Sequence, residues 1–268
     1  MNNSYSLHKI ENESIYPFDA NEYSWFKFGD KQFAEKFATD LFNGFLANFG
    51  ELILSKNEIV ILPSPYLSIP TALNFLCFYF KKSLDTFLFN NKKKASVESK
   101  IYRNQTYVID YGNLDFEERV KLISNDTYYI DKDFISNKLC IFVDDIKITG
   151  SHEHTVYKIL NQYKVNGDFV FVYFAELTNK EIHPKIENHY NYFAVKTIDD
   201  IISLINRTNF QFNTRIIKYI LKLENEQFNF LINNISIEKK NDLFHLAISN
   251  NYHQIIEYQN NIETIKIA

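Results

Sequence analysis

Residues 143–154, "VDDIKITGSHEH", place two adjacent carboxylates, Asp144 and Asp145, at the end of the apolar run "LCIFV", with Thr149-Gly150-Ser151 four residues on. Ionised carboxylates only accept hydrogen bonds, so such a pair suits a partner with several hydroxyls, such as a ribose diol. It also suits Mg²⁺, which binds through one or two carboxylates together with phosphate oxygens. Thr149, Gly150 and Ser151 are expected to form the turn into a helix, where free backbone N–H groups and two hydroxyls make a phosphate cradle. In open parallel sheets ligands sit beyond the carboxyl ends of the strands, which is where these residues would fall. Diol, phosphate and Mg²⁺ together describe a ribose phosphate.

The elements that must position this stretch follow from periodicity. Asp30 is a good N-cap for "KQFAEKFATDLFNGFLANFG", in which Phe33, Phe37, Leu41, Phe45 and Phe49 recur every four residues as one apolar helix stripe. "EIVILPSPYLSIPTALNFLCFYF" reads as a buried strand over 59–62, a Pro/Ser loop, and a helix from about Pro70. "TYVIDY" (106–111) and "LDFEERVKLIS" (114–124) read as strand and helix, "KLCIFVDD" as a buried strand, "SHEHTVYKILNQYK" as the helix after it, and "DFVFVYFAEL" as a third buried strand. Strands alternating with helices predict an α/β fold, a mainly parallel sheet flanked by helices. From about 206 the patterns are helical with no intervening strand, which predicts an α-helical C-terminal appendage. One stretch of it, "LFHLAISNNYHQIIEY", has the look of a single ankyrin helix pair, but no second copy is visible. The expected organisation is a lead-in over 1–29, irregular to about residue 24, an α/β domain over 30–205 and a helical region over 206–268. The polar, basic stretch 89–105 reads as a loop or mobile excursion.

Composition narrows the function classes. At 268 residues and 46% hydrophobic, the chain can bury a substantial core. A formal charge of −4 gives no global basic field, so nucleic acid is not an expected partner. The two cysteines, Cys77 and Cys140, lie inside apolar segments and read as buried hydrophobes rather than a disulfide or zinc ligands. No basic-then-apolar leader opens the sequence and no window reaches 18 uncharged apolar residues, so a cytoplasmic protein without a membrane partner is expected. His152 and His154 invite a metal reading, but residues two apart on a helix point to different faces. His152 and Glu153 read better as facing phosphate or supporting the acids.

The segment "CIFVDDIKITGS" resembles the phosphoribosyl-pyrophosphate (PRPP) motif of the type I phosphoribosyltransferases. The resemblance covers about residues 30–205. It implies that Asp144 and Asp145 face the ribose 2′ and 3′ hydroxyls, and that Lys147 to Ser151, with His152 at the edge, wrap the 5′-phosphate. Ile148 sits within that loop, and Mg²⁺ is held through PRPP near the acids. That family's first strand leads into a pyrophosphate loop, here "LPSPYLSIP" with Ser64, Pro65 and Tyr66; members often hold a cis peptide there, which Leu62-Pro63 or Ser64-Pro65 could supply. A mobile hood corresponds to "KKKASVESKIYRN", making Lys100 and Arg103 candidates for the pyrophosphate oxygens, while Asp110 or Tyr111 could line the site.

The sequence departs from the family at two positions. Purine-salvage members carry an acid before Thr-Gly to take the proton from the base, and here it is Ile148; a hydroxyl residue is usual after the small residue, and here it is His152. "DDIKITGSHE" is closer to a bacterial branch found beside stress or tellurium-resistance genes. The resemblance implies an Mg²⁺-dependent glycosyltransferase that moves a 5-phosphoribosyl group between PRPP and an unidentified nitrogenous acceptor. The alternative is a silent PRPP or nucleotide sensor that acts through the helical tail. That tail could form a homodimer interface or cover the site.

Overall fold

A computed structural model describes residues 3–103, 117 and 128–267. The three apolar runs form the middle of a five-stranded sheet: β2 (Ile59–Pro63), β6 (Leu139–Lys147) and β7 (Asp168–Leu177). Their near-continuous hydrophobicity follows from burial on both faces, as in other all-parallel sheets. β1 (Asn3–Ile10) and β3 (Val97–Glu98) form the edges, giving the order β1-β7-β6-β2-β3 with every pairing parallel. A separate two-stranded antiparallel ribbon joins β4 (Tyr102–Arg103) to β5 (Tyr128–Tyr129).

Side chains alternate across a strand, and here the alternation sorts the core cleanly. Ile59, Ile61, Leu139, Ile141 and Val143 pack with α1 (Ala20–Lys27), α2 (Lys31–Ser55) and α3 (Ala72–Asn90) on one face. Val60, Leu62, Cys140 and Phe142 pack with α5 (Ser151–Gln162) on the other, beneath the short α4 (Lys132–Ile135). Burial pushes the Cys140 thiol up to about 12, so it acts as the small hydrophobe the sequence suggested. Asp30 caps α2 as expected, its carboxylate accepting from the Gln32 N–H at 3.0 Å.

The helices α6 (Ile186–Asn191), α7 (Ile198–Ile205), α8 (Thr214–Leu221), α9 (Asn225–Asn233), α10 (Ile237–Ser249) and α11 (Ile256–Ile267) follow the last strand. Those from α7 onward share an apolar core that also takes in Phe28, Ile69 and Val195. The helical C-terminal region is therefore built against the sheet-bearing part. Gly29 sits at that junction with φ of 108°, and a Cβ there would lie 2.2 Å from the Gln211 carbonyl oxygen. Gly29→Ala should cost about 1–3 kcal/mol from backbone strain alone. Urea denaturation with an unchanged m-value would read this as a lower midpoint.

The structure corrects several expectations. The stretch expected to be irregular to about residue 24 instead carries β1, which pairs with β7, and the start of α1 at Ala20, with an irregular connection only over 11–19. The polar stretch 89–105 contains β3 and β4: two residues of β3 extend the main sheet, and Ser96 before it anchors to Asp85 through its N–H at 2.8 Å and hydroxyl at 2.6 Å. β6 runs on to Lys147, so the acid pair lies inside the strand, held in register by the longer β7. Neither Leu62-Pro63 nor Ser64-Pro65 is cis. The expected strand at 106–111 and most of the helix at 114–124, with Asp110 and Tyr111, lie outside the described residues. No described helix is long and apolar enough to cross a membrane.

Candidate functional site

The sheet register builds the site. Pro63 pairs with Val143, which brings Ser64, just past the end of β2, level with Asp144 inside the longer parallel strand β6. Beyond them lies a cavity of about 490 Å³, lined by Ser64, Pro65 and Tyr66 from one loop and by the whole run Asp144 to Glu153. Gly150 has φ of 76°, the left-handed region that glycine reaches without strain, and it turns the chain into α5. The Thr149 hydroxyl lies 3.1 Å from the Ser151 hydroxyl, which closes the turn. Thr149, Gly150 and Ser151 thus present two hydroxyls and a helix start to the cavity, the arrangement expected of an anion cradle.

The two acids do not act as a matched pair. Because successive strand residues face opposite sides, Asp144 points toward α5 and Asp145 toward α1. One Asp144 oxygen lies 2.6 Å from His152 Nδ1, and the other accepts the Asp145 N–H at 3.0 Å, with the Ser64 hydroxyl at 3.5 Å. Asp145 forms a buried ion pair with Lys27, accepts from the Tyr23 hydroxyl at 2.7 Å, and accepts the Ile146 N–H at 2.8 Å. Burial alone would raise the Asp145 carboxyl, but the Lys27 ammonium, the Tyr23 hydroxyl and the Ile146 N–H hold it below its ordinary value. Burial and the adjacent carboxylate push the Tyr23 hydroxyl well up.

The other expected site residues divide. Lys147 lines the cavity, with its ammonium 2.7 Å from Glu153 and 3.8 Å from Glu176. Glu153 also accepts from the Tyr173 hydroxyl at 3.0 Å, so it supports Lys147. Ile148 lines the cavity and packs on the core. Lys100 lies 3.6 Å from the centre of the Tyr66 ring and donates to the Leu67 carbonyl at 3.2 Å, which ties the hood stretch to the 64–67 loop rather than placing the ammonium on the cavity wall. Arg103 pairs through its backbone with Tyr128, and its side chain lies outside the described residues.

Sequence reading missed the residues that arrive from afar. Tyr23 and Lys27 lie 122 and 118 positions from Asp145, and no local pattern connects them to it. The C-terminal helices hold the 64–71 loop: the Asn250 side-chain carbonyl accepts from the Ser68 N–H at 3.0 Å and the Ile69 N–H at 3.3 Å, and the Thr214 hydroxyl donates to the Ile69 carbonyl at 2.9 Å. α8 also sends Arg215, Lys218 and Tyr219 to the cavity wall, with Lys222 just beyond its end. This wall had a readable signal: in "NTRIIKYILK" the isoleucines at 216, 217 and 220 mark the buried face, which leaves the cations opposite.

A parallel sheet with an acid-bearing strand, a Thr-Gly-Ser turn and a facing Pro/Ser loop defines a phosphoribosyltransferase-like cleft. The chain matches the family described as PRTase ComF-like over residues 1–265, and it belongs to that family. No curated protein matches. Among solved structures it is similar to an adenine phosphoribosyltransferase, at 16% identity over 53% of this chain and 70% of the other, with a TM-score of 0.31. It is also similar to an adenine phosphoribosyltransferase from Saccharomyces cerevisiae, at 14% identity over 60% of this chain and 75% of the other, TM-score 0.31. A hypoxanthine phosphoribosyltransferase from Staphylococcus aureus matches at 12% identity over 53% of this chain and 74% of the other, TM-score 0.30. These likenesses are too distant to carry residue roles across.

Proposed function

We propose that the cleft binds PRPP with its Mg²⁺ and transfers the 5-phosphoribosyl group to a nitrogenous acceptor, or runs the reverse reaction. The observation that carries this reading is the convergence of the Ser64–Tyr66 loop, Asp144 and the Thr149–Ser151 turn on one cavity at the carboxyl edge of the sheet. Thr149, Gly150 and Ser151 would take the 5′-phosphate, Asp144 the ribose hydroxyls, and the 64–66 loop the diphosphate. In the transfer the anomeric carbon–oxygen bond to diphosphate breaks, the carbon–nitrogen bond forms, and the acceptor's N–H proton leaves. Ile148 stands where the resemblance puts an acid to take that proton, so the proton would pass to pyrophosphate, water or a hood residue. Catalysis would rest on positioning and on charge stabilisation in an enclosed site.

The described residues contain no group of three His, Cys, Asp or Glu placed to hold a metal. The ion would travel with the substrate on diphosphate oxygens near Asp144, because Mg²⁺ bound to phosphates needs no more than one or two protein carboxylates. The reading includes kinship with the branch found beside stress and tellurium-resistance genes, on the strength of "DDIKITGSHE". It also includes a cytoplasmic setting, in keeping with two free, buried cysteines. A second reading, a PRPP- or nucleotide-binding regulator without turnover, is favoured by one observation: Lys27 and Tyr23 hold Asp145, and His152 holds Asp144.

Calorimetric titration with PRPP tests the pocket. Binding is expected with Mg²⁺ and not after its removal with EDTA, and Asp144→Asn should weaken it about tenfold, the loss of a hydrogen bond to a charged group. A folded wild type that ignores PRPP would sink the reading. Binding without pyrophosphate release from PRPP and a panel of nitrogenous bases would favour the regulator.

A further inference from the structure

Residues 66–70 lie between β2 and α3, outside helix and strand, and Pro65 and Pro70 have no N–H to donate. Partly buried backbone of this kind must find its hydrogen-bond partners elsewhere. Among the described contacts, none of its partners is local. Tyr66 bridges to Tyr102, and the Leu67 carbonyl accepts from the Lys100 ammonium at 3.2 Å. The Ser68 and Ile69 N–H groups donate to the Asn250 side-chain carbonyl at 3.0 and 3.3 Å. The Ile69 carbonyl accepts from the Thr214 hydroxyl at 2.9 Å, and the Pro70 carbonyl accepts from the Thr214 N–H at 2.9 Å. The loop therefore takes its shape from the elements around it.

Most of that grip comes from the C-terminal helices. The Ile69 side chain is buried in their core, Thr214 opens α8, and Asn250 directly follows α10. The start of α8 is also tied to the other side of the cleft. Asn213 is fully buried; its side-chain carbonyl caps α8 and its amide donates to the Lys27 carbonyl at 3.1 Å. Lys27 in turn pairs with Asp145. One helix start thus holds both the loop and the end of α1, and so fixes the loop relative to the acid-bearing strand.

Resting on the ribosyl-transfer reading, in which the 64–66 loop takes the diphosphate, we infer that Thr214 and Asn250 are positioning residues for donor binding. They hold the loop in the shape that receives the diphosphate, which makes the C-terminal helices a necessary part of the PRPP site.

The test is calorimetric titration of the full chain with PRPP and with ribose 5-phosphate, each with Mg²⁺. The two probes share the sugar phosphate and differ in the diphosphate. Thr214→Val keeps the volume and the backbone N–H and removes only the hydroxyl, whereas Thr214→Ser keeps the hydroxyl. Thr214→Val and Asn250→Ala should each weaken PRPP about tenfold, the upper end of what one hydrogen bond contributes. Ribose 5-phosphate, held by the Thr149–Ser151 turn and Asp144, should change less than about twofold, because its contacts are left in place. Thr214→Ser should bind PRPP as the wild type does. Equal loss for the two ligands overturns the inference, by giving these residues a general structural role. Unchanged PRPP affinity in Thr214→Val overturns it too, as does a serine variant as weak as the valine variant. If Asn250→Ala does not fold, the valine and serine variants decide alone. A wild type that binds PRPP and takes no ribose 5-phosphate overturns the division of the donor between turn and loop, and the inference with it. A wild type that ignores PRPP overturns the ribosyl-transfer reading itself.

Discussion

Asp145→Asn should lower the folding stability by about 3–5 kcal/mol, because it leaves the Lys27 ammonium buried without a counter-charge. Lys27 and Asp145 side chains are each only 8% exposed, so water replaces the lost partner poorly even though both groups border the cavity. Adding Lys27→Met to Asp145→Asn should recover most of the loss, since replacing both partners of a buried pair with groups of similar volume is often close to neutral. A double-mutant cycle by urea denaturation reads the coupling directly. A single-variant cost below about 1 kcal/mol would show that the pair is not buried as described. The pH dependence has a definite sign. The Asp145 carboxyl is held below its ordinary value, so its contribution is present above about pH 4 and is lost as the pH falls through the lower folded value. Wild type should therefore lose stability on acidification below about pH 4 through a term that the double variant lacks.

PRPP affinity should fall about 10- to 100-fold as the pH rises through the titration of His152. Burial alone would lower the His152 pKa, but the Asp144 carboxylate, with Asp145 and Glu153, outweighs it and raises the value above the ordinary one. Nδ1 faces Asp144, and Nε2 is buried with no protein partner among the described residues. Protonation gives both nitrogens a hydrogen, so the charged ring can hold Asp144 and offer an N–H to a phosphate oxygen. A charge-assisted hydrogen bond of this kind contributes roughly 1.5–3 kcal/mol. The same raised pKa means that the stabilising contact with Asp144 is fully present below about pH 6.5 and is lost as the pH rises through the folded value. His152→Gln should bind PRPP more weakly at pH 6 and show a nearly flat profile between pH 6 and 9. A profile in the variant as steep as in the wild type would assign the titration elsewhere.

The parts legible in the sequence are those specified locally. Ile59 to Leu62, Leu139 to Val143 and the "VFVYFA" of β7 are continuous apolar runs that can only be satisfied by burial on both faces, and the Thr149–Ser151 turn follows its strand directly. β1 went unread although Ser4 to His8 alternate polar and apolar, because the run is short and Lys9 beside His8 breaks the period before Ile10. β3 and β4 are two residues each, too short for any period to show. Adjacency of Asp144 and Asp145 suggested a shared task, but the pleat sends them to opposite faces, and their true partners depend on tertiary contacts that spacing cannot reveal. His152, a departure from the family pattern, is explained by Asp144, which it holds from the first turn of α5.

The edge position of β1 has a consequence for how the protein is made. Asn3 pairs with Val170 and Ile10 with Leu177, so β1, made well over a hundred residues before its partner, has no place in the sheet until β7 has been synthesised. At typical elongation rates of 5–20 residues per second, that is a wait of roughly 10–30 s. During that interval the early segment, with Tyr5, Leu7 and Ile10, carries apolar side chains and unpaired backbone groups that invite association with other nascent chains. The cleft is completed later still, because Asn250, which fixes the 64–71 loop, lies 182 residues after Ser68 and beyond β7. Expression at lower temperature, or with abundant chaperones that bind extended segments, is the practical route to well-folded material.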